Sequence, residues 1–158
     1  MKRVAVLYSE YYPVIDAIKY HLSEYCVDCI SDIKDTDEYD LIICLGNKKS
    51  KGNAISCHHS LLPAFNCEEP EKEAVLEGVK VTGITIYYQN TGKIIAQYPV
   101  FIKNDTHYDD LNRELTYLEQ ILLPLVAKQI IKNEPFDVSM LTKTSCNGKC
   151  GGCLSCSH

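Results

Sequence analysis

Apolar residues follow two rhythms along this chain. Val4-Ala5-Val6-Leu7-Tyr8 and Leu41-Ile42-Ile43-Cys44-Leu45 are short unbroken runs with polar flanks, the second closed by Gly46-Asn47. Such runs suit strands buried on both faces, as in a parallel sheet. Behind Pro13, a residue suited to a first helical turn, Val14, Ile15, Ala17, Ile18 and Leu22 recur at helical spacing. Residues 25–30 and 54–58 read as further strands, the latter stopped by Leu61-Leu62-Pro63, and 69–77 reads as a helix. Segments 80–88 and 93–101 are rich in β-branched and aromatic residues and are joined by Asn90-Thr91-Gly92, which predicts a hairpin. Residues 109–132 form the longest predicted helix, with an apolar face of Leu111, Leu115, Leu118, Ile121, Leu122, Leu125 and Val126 and a kink at Pro124. The class is α/β, with a mostly parallel sheet, a C-terminal hairpin and a long closing helix.

This patterning stops near residue 138, and the sequence divides there into an α/β domain, 1–138, and a tail, 139–158. At 158 residues the chain buries a core of ordinary size without staples, so its nine cysteines call for another explanation. The apolar stretch at Val4 is too short for a signal-peptide core, and no run approaches the ~20 residues of a spanning helix, so a cytoplasmic protein without a membrane role is expected. With 16 basic against 21 acidic residues the net charge is −5, and no basic cluster offers a phosphate-neutralising surface. Nucleic acid is not an expected partner.

Cys146, Cys150, Cys153 and Cys156 lie within eleven residues, among Gly148, Gly151 and Gly152. Closely spaced thiolates in a glycine-rich segment with a single large apolar residue, Leu154, point to a bound metal. An unliganded tail and disulfides between near neighbours are the plainer readings. Overlapping short spacings favour an iron-sulfur cluster, whereas structural zinc sites pair two Cys-x2-Cys units across a longer stretch. Zinc is the alternative, completed by His158 or by a cysteine of the body. Cys26 and Cys29 are spaced as in thioredoxin but fall in a predicted strand instead of at a helix N-terminus. Cys44, Cys57 and Cys67 read as small core or loop residues.

The most informative stretch is His58-His59-Ser60-Leu61-Leu62-Pro63, followed by Gly78, Thr82-Gly83-Ile84-Thr85 and Asn90-Thr91-Gly92-Lys93-Ile94-Ile95-Ala96-Gln97. In order and spacing it resembles the folate-dependent formyltransferase family, over roughly residues 38–130. The resemblance implies a Rossmann-like sheet and transfer of a formyl group from 10-formyltetrahydrofolate to an amine. It also implies three catalytic positions, occupied in the family by Asn, His and Asp and here by Ser56, His58 and Asn90. They would donate to the oxyanion, carry the proton and fix the imidazole, respectively. Leu61, Leu62, Pro63 and Gly92 would belong to the folate-binding framework.

Only the histidine is retained. A serine hydroxyl donates one hydrogen bond from a shorter arm than an amide, and an asparagine carries no charge to stabilise an imidazolium. The plainer reading of His58 is a structural histidine at a strand end; His59 reads as a polar turn residue. Adjacent histidines on a strand point to opposite faces, which disfavours a shared metal. The turn Ser9-Glu10-Tyr11-Tyr12-Pro13 lacks the glycines that hold a phosphate in the glycinamide ribonucleotide branch, and no residues remain for the extra domain of the tRNA branch. Two functions follow. One is a transferase acting on a small-molecule amine. The other is a metal-binding or electron-transfer module on the same scaffold, with a redox protein as partner.

Overall fold

Val4, Ala5 and Val6 are fully buried although successive side chains point to opposite faces, so strand β1 (Arg3–Leu7) is covered on both sides. The computed structural model describes residues 1–137. Along them β1 is followed by α1 (Val14–His21), β2 (Cys26–Ile30), β3 (Leu41–Cys44), β4 (Ala54–His58), α2 (Pro70–Leu76), β5 (Val81–Tyr88), β6 (Ile94–Phe101) and α3 (Tyr108–Lys132). The strands form one sheet in the order β2-β1-β3-β4-β5-β6. β1 pairs in parallel with β2 and β3, and β3 with β4, while β4 to β5 and β5 to β6 are antiparallel. This is the expected α/β class, a Rossmann-like sheet with a hairpin appended.

The two faces are covered unequally. Val4, Val6, Leu41, Ile43, Ile55, Ile84 and Ile86 pack against α1 and α3. On the other face the small residues Ala5, Cys44 and Ala54, with Leu7 and Ile42, lie under Ile30, Ile33 and Tyr39 at the end of β2 and in the segment leading to β3. The Arg3 guanidinium anchors that segment, 4.8 Å from the Tyr39 ring centroid and 2.8 Å from the Asp28 carboxylate. An unbroken apolar run therefore reports burial on both faces, not helices on both.

α3 is a single helix of 25 residues that passes through Pro124. Its buried arc differs from the predicted face: Ile121 is 38% exposed, while Leu123, Ala127 and Ile131 are buried. α3 packs against α1 as well as the sheet, so the covered side widens away from Ile121. Asn133, in the left-handed region at φ 56°, ends it. In the β5–β6 hairpin Gly92 adopts φ 70° and donates to the Tyr88 carbonyl at 2.8 Å. Among the described residues, no helix is long and apolar enough to cross a membrane.

Candidate active site

β1 and β3 are neighbours whose following connections diverge, so their C-terminal ends mark the crevice where open α/β sheets bind ligands. β4 runs in the same direction beside β3, and His58 is its last residue. Along β4, Ile55 and Cys57 face the helices, which leaves Ser56 and His58 together on the opposite face. His58 Nε2 lies 2.9 Å from the Phe65 carbonyl. A carbonyl only accepts, so Nε2 carries the proton and donates it, and Nδ1 becomes the basic nitrogen of the neutral ring. Nδ1 has no hydrogen-bond partner among the described residues. Phe65 holds that carbonyl in place with a left-handed φ of 50°, which is uncommon for a side chain of its size.

The segment after His58 is clamped from the hairpin. Thr85, fully buried, donates its hydroxyl to the Ser60 carbonyl at 2.6 Å and accepts from the Leu62 N–H at 3.0 Å. Gln97 Nε2 donates to the Leu62 carbonyl at 3.0 Å and to Thr85 Oγ1 at 3.1 Å. Leu62 thus has both backbone groups satisfied by side chains, and the Leu62-Pro63 bond is cis. Gly83 lets β6 approach: a Cβ there would lie 2.0 Å from the Tyr98 carbonyl oxygen and 2.8 Å from Leu61 Cδ2. Thr82-Gly83-Ile84-Thr85 and Leu61-Leu62-Pro63 form one interlocked unit.

Ser56 is already committed. Its hydroxyl donates to the Cys44 carbonyl at 3.1 Å and accepts from Gln89 Nε2 at 2.6 Å. Gln89 Nε2 also donates to the Lys48 carbonyl at 2.9 Å, and its Oε1 accepts from the Ser50 N–H at 3.0 Å. Asn90 lies elsewhere. The antiparallel register sets Thr85 opposite His58 but Tyr88 opposite Ile55, and the Gln89 N–H donates to the Ala54 carbonyl at 2.9 Å. Asn90 therefore sits beyond the start of β4, and at about 3.3 Å per residue the length of that strand, on the order of 13 Å, separates it from His58. Gly92 shares the Asn90 end, whereas Leu61, Leu62 and Pro63 share the His58 end. The structure brings Ser56 and His58 to one face and does not bring Asn90 to them.

At the ends of β1 and β3 the chain presents acid, not a glycine cradle. The Tyr12 ring occupies the space a Cβ on Gly46 would fill, and its hydroxyl donates to the Glu10 carboxylate at 3.1 Å. Tyr11 donates its hydroxyl to Asp16 in the first turn of α1.

His59 is more than a polar turn residue. Its Nε2 is 2.7 Å from Glu119 Oε2 on α3, and its Nδ1 hydrogen-bonds Glu71 Oε1 on α2. Burial alone would push the imidazolium down, but Glu119 and then Glu71 outweigh it and raise its pKa to about 9. Burial opposes ionisation of Glu71, but the bond from His59 prevails and holds its carboxyl below the usual range. Burial, with Glu119 and Glu71 behind it, pushes the Cys57 thiol well up. The sequence signal for this cluster was confined to the two-residue spacing of Cys57 and His59, which sets them on one face; nothing in the sequence marks Glu71 or Glu119 as their partners.

Cys44 is buried, and burial raises its thiol to about 11; Cys67 is exposed. Cys26 and Cys29 lie in edge strand β2, with free thiols. Cys146, Cys150, Cys153, Cys156 and His158 lie outside the described residues. A recess of about 740 Å³ opens at the far end of the sheet from His58, between the hairpin and the end of α3, lined by Asn53, Tyr88, Lys93 and Phe136 among others.

The formyl transferase family profile matches residues 46–127. The chain is 37% identical over 84 residues to a phosphoribosylglycinamide formyltransferase of Bacillus subtilis, covering 51% of this chain and 43% of that one. It is 35% identical over 88 residues to a methionyl-tRNA formyltransferase of Halalkalibacterium halodurans, covering 53% and 28%. It therefore spans less than half the length of these curated relatives. The crystal structure of a phosphoribosylglycinamide formyltransferase from Bacillus halodurans superposes with a TM-score of 0.67 over 86% of this chain and 100% of that chain, at 23% identity, a likeness of fold.

Proposed function

Because the chain belongs to the formyl transferase family, we propose that it transfers a formyl group from 10-formyltetrahydrofolate to a small amine. The observation that carries this reading is His58 at the end of β4, its Nε2 proton given to the Phe65 carbonyl and its Nδ1 left basic. The Phe65 carbonyl does the orienting that an aspartate does in the family, without contributing charge. The amine nitrogen attacks the formyl carbon and gives a tetrahedral intermediate. The amine proton passes to Nδ1 and then to folate N10 as the carbon–N10 bond breaks, leaving formylamine and tetrahydrofolate. The clamped Leu61-Leu62-Pro63 segment supplies rigid backbone for the pterin. Glu10 and Asp16 at the crevice favour a cationic acceptor and repel a phosphate-bearing one. The test is binding of a 10-formyltetrahydrofolate analogue by the full chain, then formyl transfer to a panel of small amines by the wild type and His58→Ala. Binding with transfer that the variant loses is the expected result; a wild type that ignores the analogue removes the reading.

A second reading draws on the mutual satisfaction of Ser56 and Gln89, which leaves no free amide at the oxyanion position. It is a metal-dependent binding or electron-transfer module in which the tail cysteines carry an iron-sulfur cluster, or zinc, against a redox partner. Iron, sulfide and zinc analysis after anaerobic purification tests it: bound metal supports it, and a colourless, metal-free protein removes it.

A further inference from the structure

Four side chains from separate elements converge on the helix-bearing side of β4: Cys57 within the strand, His59 just beyond it, Glu71 on α2 and Glu119 on α3. The ligand atoms of Cys57, His59 and Glu119 all lie within 4.8 Å of one another. The side chains of His59 and Glu119 are each 16% exposed, so the cluster is sheltered yet reachable from solvent.

We propose that Cys57, His59 and Glu119 bind a divalent transition-metal ion of the zinc class, with Glu71 holding His59 in register. Donors at about 2.0–2.3 Å from a tetrahedral zinc lie roughly 3.4–3.6 Å from each other. The ion would part His59 Nε2 from Glu119 by less than about 1 Å and draw in Cys57 Sγ, which lies within 4.8 Å of both, by no more than about 1.4 Å. Nδ1 faces Glu71, which gives the carboxylate–histidine–metal relay that fixes ring orientation in metal sites. One sulfur, one nitrogen and one oxygen suit zinc in preference to magnesium or calcium, which take oxygen alone. Three protein ligands leave the fourth position open, as in reactive zinc sites. The ion displaces two protons, one from the Cys57 thiol and one from Nε2, so the net charge of the cluster is unchanged. Cys57 has no part in the His59–carboxylate ion pairs, yet it is the residue that turns them into a ligand set.

The site is on the opposite face of β4 from Ser56 and His58, and its existence does not depend on formyl transfer. The experiment uses the full chain with Cys146, Cys150, Cys153 and Cys156 each replaced by Ser, titrated with Co²⁺ alone and then Zn²⁺ alone. One equivalent should bind, with a thiolate-to-cobalt charge-transfer band. Cys57→Ser should abolish that band, Glu119→Gln should weaken binding at least tenfold, and Glu71→Gln should weaken it about 10- to 100-fold. Circular dichroism and thermal melting establish that each variant is folded, and Zn²⁺ should raise the melting temperature of the parent but not of Cys57→Ser. In the chain with its tail cysteines intact, Cys57→Ser should bind one equivalent of zinc fewer. No binding by the tail-substituted chain, a band that survives Cys57→Ser, or an unchanged zinc count overturns the proposal.

Discussion

Gln89 Nε2 donates to Ser56 Oγ at 2.6 Å, placing an amide from the hairpin beside the residue that stands at the family's asparagine position. The hydroxyl proton of Ser56 is spent on the Cys44 carbonyl, and the remaining Gln89 donor on the Lys48 carbonyl. The pair ties the β3–β4 connection to the hairpin. Ser56→Ala is therefore expected to act on stability, by about 1–3 kcal/mol, because it removes both hydrogen bonds of the hydroxyl and strands a Gln89 donor. Denaturant unfolding beside initial rates of transfer checks this, with kcat of the folded variant within about twofold of wild type. A large loss of kcat at unchanged stability would instead make Ser56 the oxyanion donor.

Asn90 and His58 occupy opposite ends of β4, and their substitutions should separate accordingly. Asn90→Ala is expected to leave transfer and folate-analogue affinity as they are, since the side chain is exposed in a turn. His58→Ala should lower kcat by about 10²–10⁴, the usual worth of a positioned acid-base group, with analogue binding retained. Single-turnover rates of the two variants decide, and a comparable loss from both would mean that the hairpin tip folds back over the site.

The elements were legible because each carries its own period: the continuous runs of β1 and β3, the β-branched segments of the hairpin, the helical spacing of α1 and α3. Position within a motif was less informative. Thr91-Gly92 matches the family in residue type and Asn90 stands at its aspartate position, but whether a side chain reaches His58 depends on the length of the turn and the register it imposes. A tight turn closed by Gly92 keeps Asn90 with Tyr88, at the start of β4. Glu71 and Glu119 were hidden for a related reason: they are distant in sequence, and only the packing of α2 and α3 brings them to His59. Ile121 was misread because α3 packs against α1 as well as the sheet, a contact no single-helix period reveals.

Gly83 tests the close approach of β5 and β6. An added methyl would meet the Tyr98 carbonyl oxygen at 2.0 Å, and backbone does not yield as a flexible side-chain end does. Gly83→Ala should lower stability by about 1–3 kcal/mol or more through overpacking. Because the same methyl would press on Leu61, folate-analogue affinity should fall as well. Thermal unfolding and analogue titration of one sample measure both, and an Ala variant as stable as wild type would show that the hairpin can relax.

Thr85 offers the sharpest separation of scaffold from chemistry, since its hydroxyl bonds no group assigned to proton transfer yet holds the Leu61-Leu62-Pro63 segment. Thr85→Val conserves shape but leaves the Ser60 carbonyl, the Leu62 N–H and one Gln97 contact without their partner in a fully buried setting. With roughly 1–3 kcal/mol for each group left unsatisfied and partial relief by water, a loss of about 2–4 kcal/mol is expected. Thr85→Ser keeps the hydroxyl and loses one methyl, which should cost about 0.5–1.5 kcal/mol, in the range of other single-methyl deletions in cores. If the clamp exists to shape the pterin site, Thr85→Val should weaken analogue binding while Thr85→Ser leaves it near wild type, with both compared in the folded baseline well below the midpoint of unfolding. Equal affinities in the two variants would mean that the hydroxyl network stabilises the fold without shaping the ligand site.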